Sequence, residues 1–113
     1  MPSTSEIILS STTHPGDSTS ETVTGSNFKG DGYYGRSDGV HTVQYDYTGF
    51  TGTITIQATL ATTPTSSDWF DVDTVTASNL TEVKYVNFTG NFVFIRAKIV
   101  YTDGTINSIR LNH

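Results

Sequence analysis

Asp68, Asp71 and Asp73, set around the only tryptophan in the run DWFDVD, are the one acidic cluster of this 113-residue chain and the first place to look for chemistry. Neighbouring carboxylates can hold a hard cation such as calcium through oxygen ligands. Two carboxylates facing one another across a cleft can cleave a glycosidic bond. The run lacks the glycine-bearing spacing of a calcium loop, and acids on one strand do not face each other across a substrate. His14, His41 and His113 stand at no metal-ligand spacing. The chain has no Gly-x-Ser-x-Gly elbow and no His-Glu-x-x-His motif. The sequence predicts no catalytic residue, no metal site and no cofactor, and the acids read as a solvated strand end.

Recognition is the chemistry that remains. Trp69 could stack on a sugar ring while Asp71 and Asp73 hydrogen-bond its hydroxyls, with Tyr33 and Tyr34 as further stacking faces. Those two tyrosines and Arg36 sit in FKGDGYYGRSDGV, where four glycines interrupt the run. The same residues also suit a structural role, with Trp69 plugging a β-sandwich or a subunit contact and the tyrosines closing one end of it. Both readings stay open on sequence alone.

The elements that must position these groups read as strands. Thr and Ser are abundant and good helix formers are scarce, so the chain is expected to be all-β, an antiparallel β-sandwich of jelly-roll type. His41–Tyr47 alternates with Val43, Tyr45 and Tyr47 on one face. Thr53–Leu60 alternates with Ile54, Ile56, Ala58 and Leu60 inward. In Asp68–Asp73, Phe70 and Val72 share one face and Trp69, Asp71 and Asp73 the other. Leu80–Phe88 leads to Phe92–Tyr101, whose Val93, Ile95, Ala97, Ile99 and Tyr101 form an apolar row. Thr102-Asp103-Gly104-Thr105 reads as a tight hairpin turn into Ile106–Leu111.

Residues 1–27 are Ser/Thr-rich and read as a flexible N-terminal arm ahead of a sandwich domain at 28–113. The arm's apolar run, Ile7, Ile8 and Leu9, is a candidate for docking on a neighbouring subunit. Phe92 and Phe94 fall on the face opposite the apolar row, where they would mark a protein-protein contact and a homo-oligomer such as a trimer. The alternative register would bury both phenylalanines.

Net charge is -5, with six Lys and Arg spread thinly, which argues against a nucleic-acid partner. There is no cysteine, no apolar run long enough to span a bilayer and no signal segment, which together point to assembly in the cytoplasm without a membrane partner.

Several motifs resemble a known group. They are the Gly49–Gly52 turn (GFTG), Ile56-Gln57, Asp68-Trp69-Phe70, Gly90–Ile99 (GNFVFIRAKI) and Gly104-Thr105-Ile106. Across about Gly30–His113 the chain is similar to small virion structural proteins of tailed bacteriophages, especially marine and cyanobacterial myoviruses. The resemblance implies a non-enzymatic capsid decoration protein that is assembled in the host cytoplasm and resides on the virion. Its partners would be the major capsid protein or other virion proteins. The alternative is a carbohydrate-binding module on a tail or fibre component that recognises host surface glycans.

Overall fold

A computed structural model describes residues 6–16, 19–30, 32–33 and 39–112, and Tyr34, Arg36 and His113 lie outside them. The described residues form β1 (Glu6–Leu9), β2 (Thr12–Thr13), β3 (Glu21–Thr24), β4 (Phe28–Lys29), β5 (Val40–Thr59), β6 (Phe70–Thr89) and β7 (Phe94–Asn112). All ladders are antiparallel: β5 lies between β6 and β7, while β1, β2, β3 and β4 follow one another along the far side of β7.

A straight strand of 20 residues would run about 66 Å, yet the longest dimension of the molecule is 43 Å. The long strands therefore fold across their middles. In β5 the register shifts between Tyr47 and Gly52, and the facing parts of β6 and β7 shift with it. Gly49 and Gly104 adopt φ of 57° and 99°, and Asn79 of β6 takes 51°. These are left-handed conformations that a side chain with Cβ branching resists. Backbone N–H groups freed at the corner find threonines: Gly49 N donates to Thr81 Oγ1 and Asn79 N to Thr51 Oγ1, each at 2.9 Å.

Folding the three long strands β5, β6 and β7 across one line produces two layers of equal order. The first contains β1 and β2, the second half of β7, the first half of β5 and the second half of β6. The second contains β3 and β4, the first half of β7, the second half of β5 and the first half of β6. This is the jelly-roll arrangement of a β-sandwich, as the sequence led one to expect. The Tyr45 hydroxyl demonstrates the closure by donating to Asp73 Oδ2 at 2.7 Å. Asp73 pairs with Ile56, which would lie about 36 Å along a straight strand from Tyr45.

Between the layers the core collects the alternating rows Val43, Tyr45, Tyr47 and Ile54, Ile56, Ala58 of β5, and Ile95, Ala97, Ile99, Tyr101 and Ile106, Ile109, Leu111 of β7. Phe50 fills the corner, stacked against Tyr101 and tilted on Tyr47. Among the described residues no buried side-chain nitrogen or oxygen lacks a partner. Of the buried histidines, His14 Nε2 donates to Thr19 O and its Nδ1 accepts from Gly16 N, while His41 Nδ1 donates to Gly39 O and the ring stacks on Phe88.

Three expectations change. Asp103-Gly104 is not a hairpin turn, because β7 bends there but continues in the same direction of pairing, and both halves pair in sequence with β5. The described part of the segment read as an arm lines β7: β1, β2 and β3 all pair with it. Ile8 and Leu9 are accordingly core residues rather than subunit contacts, and only Ile7 of that run points outward. Leu60 lies beyond the end of β5 and is exposed.

Candidate functional site

Functional side chains on a jelly roll must come from its two outer faces, its edges or its end loops. On the second layer, the outward residues of β5 are Thr53, Thr55 and Gln57, and those of β7 are Phe94, Arg96, Lys98 and Val100. Gln57 pairs with Asp71 of β6 on one side and with Arg96 of β7 on the other. The three side chains form a line across three strands. Arg96 Nε donates to Gln57 Oε1 at 2.9 Å, and Gln57 Nε2 donates to Asp71 Oδ1 at 3.1 Å. The Arg96 guanidinium lies 4.2 Å from the centre of the Trp69 ring, a cation–π stack. Partial burial lowers Arg96 from its ordinary value, although an arginine stays protonated across any working pH.

Asp71 and Asp73, expected on one face, are on opposite faces. The register shifts between Ile56 and Gln57, so that Ile56 pairs with Asp73 and Gln57 with Asp71, leaving Val72 as the extra residue of a β-bulge. Asp71 faces out and Asp73 faces in toward Tyr45. Asp73 therefore leaves the proposed sugar-contact set. Asp68 belongs to the preceding loop, where it accepts from Thr65 N at 2.6 Å and Thr65 Oγ1 at 3.0 Å. Those bonds, the backbone one first, hold its carboxyl below the usual range. The acidic cluster is thus divided among a loop, an outer face and the interior. Among the described residues no three or more His, Cys, Asp or Glu gather as a metal site would require.

Tyr33 is exposed, packs its ring against Phe94 and carries Lys29 Nζ 4.5 Å above it. Tyr34 lies outside the described residues. The two phenylalanines assigned to a contact face part company. Phe94 is outward, as read, but lies partly covered beside Tyr33. Phe92 precedes β7 and turns into an aromatic group with His41, Phe70 and Phe88 against the core.

The first layer presents a different outer face. In register across four strands lie Ile7, Arg110, Gln44 and Tyr85. Beside Tyr85 on β6 is Val83, and the two are 73% and 66% exposed. On the other side of β6 Lys84 Nζ approaches Glu82 Oε2 at 3.9 Å, a weak surface pair, and Glu82 Oε2 also accepts from the Tyr47 hydroxyl at 2.7 Å. Burial first, then the Glu82 bond and its charge, push the Tyr47 phenol up to about 12. Sequence reading missed Val83 and Tyr85, although their alternation with Glu82 and Lys84 placed two large apolar groups on one face of an edge strand. It also missed Gln57 and Arg96 as partners of Asp71, since only the cross-strand register aligns them.

No family model and no curated protein matches the chain. Among solved structures it is similar to a family 29 carbohydrate-binding module from Piromyces equi, with a TM-score of 0.48 at 8% identity over 97% of this chain and 91% of that one. It is also similar to a carbohydrate-binding module of Cellvibrio mixtus lichenase 5A in complex with cellotriose, with a TM-score of 0.39 at 17% identity over 96% and 98%.

Proposed function

We propose that the chain is a non-enzymatic virion structural protein of a tailed bacteriophage, a capsid decoration protein that works by protein-protein contact. The observation that carries this reading is the first layer's outer face, where Val83 and Tyr85 stand 66% and 73% exposed on an edge strand. Large apolar groups displayed together on a small domain favour a macromolecular contact. The contact face is thereby moved from Ile8, Leu9 and Phe92, which the fold uses internally, to β6. The resemblance of residues 30–113 to phage virion proteins supplies the setting, with the virion as location and the capsid lattice as partner. A cryo-electron microscopy reconstruction of the particle encoded with this chain tests it. Many copies on the outer shell, with β6 or its outer face against the lattice, are expected. Absence of the chain from the particle would overturn the reading.

One observation favours a second reading, recognition of a surface glycan on the second layer. The row Asp71–Gln57–Arg96 offers fixed donors and acceptors on one outer face beside Trp69, the combination of an aromatic surface and placed polar groups that suits a sugar. On a glycan array Arg96→Ala and Trp69→Ala should each lose any signal that the native chain gives. Binding that survives both substitutions would remove this site.

A further inference from the structure

We infer that the second half of β6 is a self-complementary edge through which two copies of this chain pair as an antiparallel, two-fold dimer. The inference rests on the protein-contact reading above and adds to it a second copy as the partner of the β6 edge beside that face. Among the described residues β6 pairs with β5 alone, so its other side offers backbone donors and acceptors along its length. An open edge is completed by another strand, which fixes the chemistry of the occupant.

Charge selects a second copy and sets the register. The stretch Thr81-Glu82-Val83-Lys84-Tyr85 carries one acid and one base within a chain of net charge -5. If Val83 faces Val83 of the second copy, Glu82 falls opposite Lys84 of that copy, and the reverse pair follows by symmetry. Thr81 then faces Tyr85, and Leu80 faces Val86. Moving the centre one residue toward the C-terminus sets Lys84 against itself, and one residue the other way sets Glu82 against itself, both disfavoured in cross-strand pairs. The Val83-centred register is the one near this centre that joins unlike charges. It also places the exposed Val83 side chains together on the outer face, with Tyr85 beside them. The first half of β6 does not extend the pairing, because it turns away at the corner near Ala77–Leu80 and carries Asp71 and Asp73 with no cation.

The test is sedimentation equilibrium of the purified chain together with a charge-swap pair. Native protein should be dimeric at micromolar concentration. Glu82→Lys and Lys84→Glu should each be monomeric, since each sets like charges opposite one another. An equimolar mixture of the two should restore dimers, now mixed, because lysines at 82 and 84 meet glutamates at 84 and 82. Circular dichroism of each variant guards against misfolding, and Val83→Asp provides a second disruptive variant that leaves the Tyr47–Glu82 bond in place. A native monomer at high concentration, a trimer, or two swapped variants that stay monomeric when mixed would each overturn the proposal. None of these outcomes depends on a capsid, so failure here is distinguishable from failure of the virion reading, which the reconstruction tests.

Discussion

Along its outer edge β7 is covered by four short strands, β1 to β4, whereas β6 runs for 20 residues with no second neighbour among the described residues. Both are long strands of one folded sheet, and both bend at the same corner. Their sequences differ in the way the edges require. β7 alternates Ile95, Ala97, Ile99, Tyr101, Ile106, Ile109 and Leu111 toward the interior, every one of them buried. β6 contributes few buried groups, Ala77 chief among them, with Val72, Val75, Val86 and Phe88 half-covered. A strand that fills the core has to be flanked on both sides, and the N-terminal segment does that for β7. A strand at the margin can spare its outer edge, and its side chains become available for contact. The lesson is that the described part of the Ser/Thr-rich N-terminal segment is structural, while the exposed Val83 and Tyr85 lie on the strand at the opposite margin of the sheet.

Removing the cover from β7 should have the largest effect. Ile8 is 2% exposed on β1, between the layers, and Ile8→Ala removes its packing and leaves a cavity. A loss of about 2–5 kcal/mol in the free energy of unfolding is expected, measured by chemical denaturation followed through Trp69 fluorescence. A loss under about 0.5 kcal/mol would return this segment to the status of an appended arm.

Much of this architecture could be read in the chain. Period-two alternation identified the inward faces of Val43–Tyr47, Ile54–Ala58 and Ile95–Tyr101, and composition excluded helices. Corners were harder, because a strand folding over a sandwich edge and a hairpin turning back both call for Gly, Asp, Asn and Thr. Local sequence therefore marked Thr48–Gly52 and Thr102–Thr105 correctly as interruptions without revealing that the strand continues beyond them. The arm was misread because β-edge segments in this protein are short and polar, and only pairing with a distant strand orders them. The divided acids depended on a bulge at Val72, which no local spacing announces. Phe92 escaped for a similar reason, since its neighbours His41, Phe70 and Phe88 come together only through the fold.

The buried side of the comparison can be sharpened by pH. Tyr45 and Tyr47 lie in the core, and burial, with the carboxylates they bond, raises both phenols above their ordinary value near 10. A group whose folded value is raised holds its proton more tightly when folded, so its stabilising contribution is complete below the unfolded value. It is lost as pH rises through the window up to the folded value. Unfolding free energy should therefore fall from about pH 10 upward, with the Tyr47 contribution exhausted near pH 12. Tyr47→Phe should flatten the fall between those limits. A slope unchanged by that substitution would show that Tyr47 is not held protonated by its surroundings.

The open side should show the smallest effect on folding. Val83 is 66% exposed on β6 and is not one of the side chains packed against the core, so Val83→Lys removes little packing. Long polar side chains are readily accommodated on an outer strand face, and lysine is a usual means of protecting an edge. Measured at the lowest concentration that tryptophan fluorescence allows, where each chain stands alone, the unfolding free energy should stay within about 0.5 kcal/mol of native. If two copies pair through β6 as proposed, the native chain gains stability from association by mass action at higher concentration, and the substituted chain does not. The two denaturation midpoints should therefore coincide on dilution and separate on concentration. A large loss at every concentration would mean that Val83 supports the monomer, and the contrast between the two edges would fail.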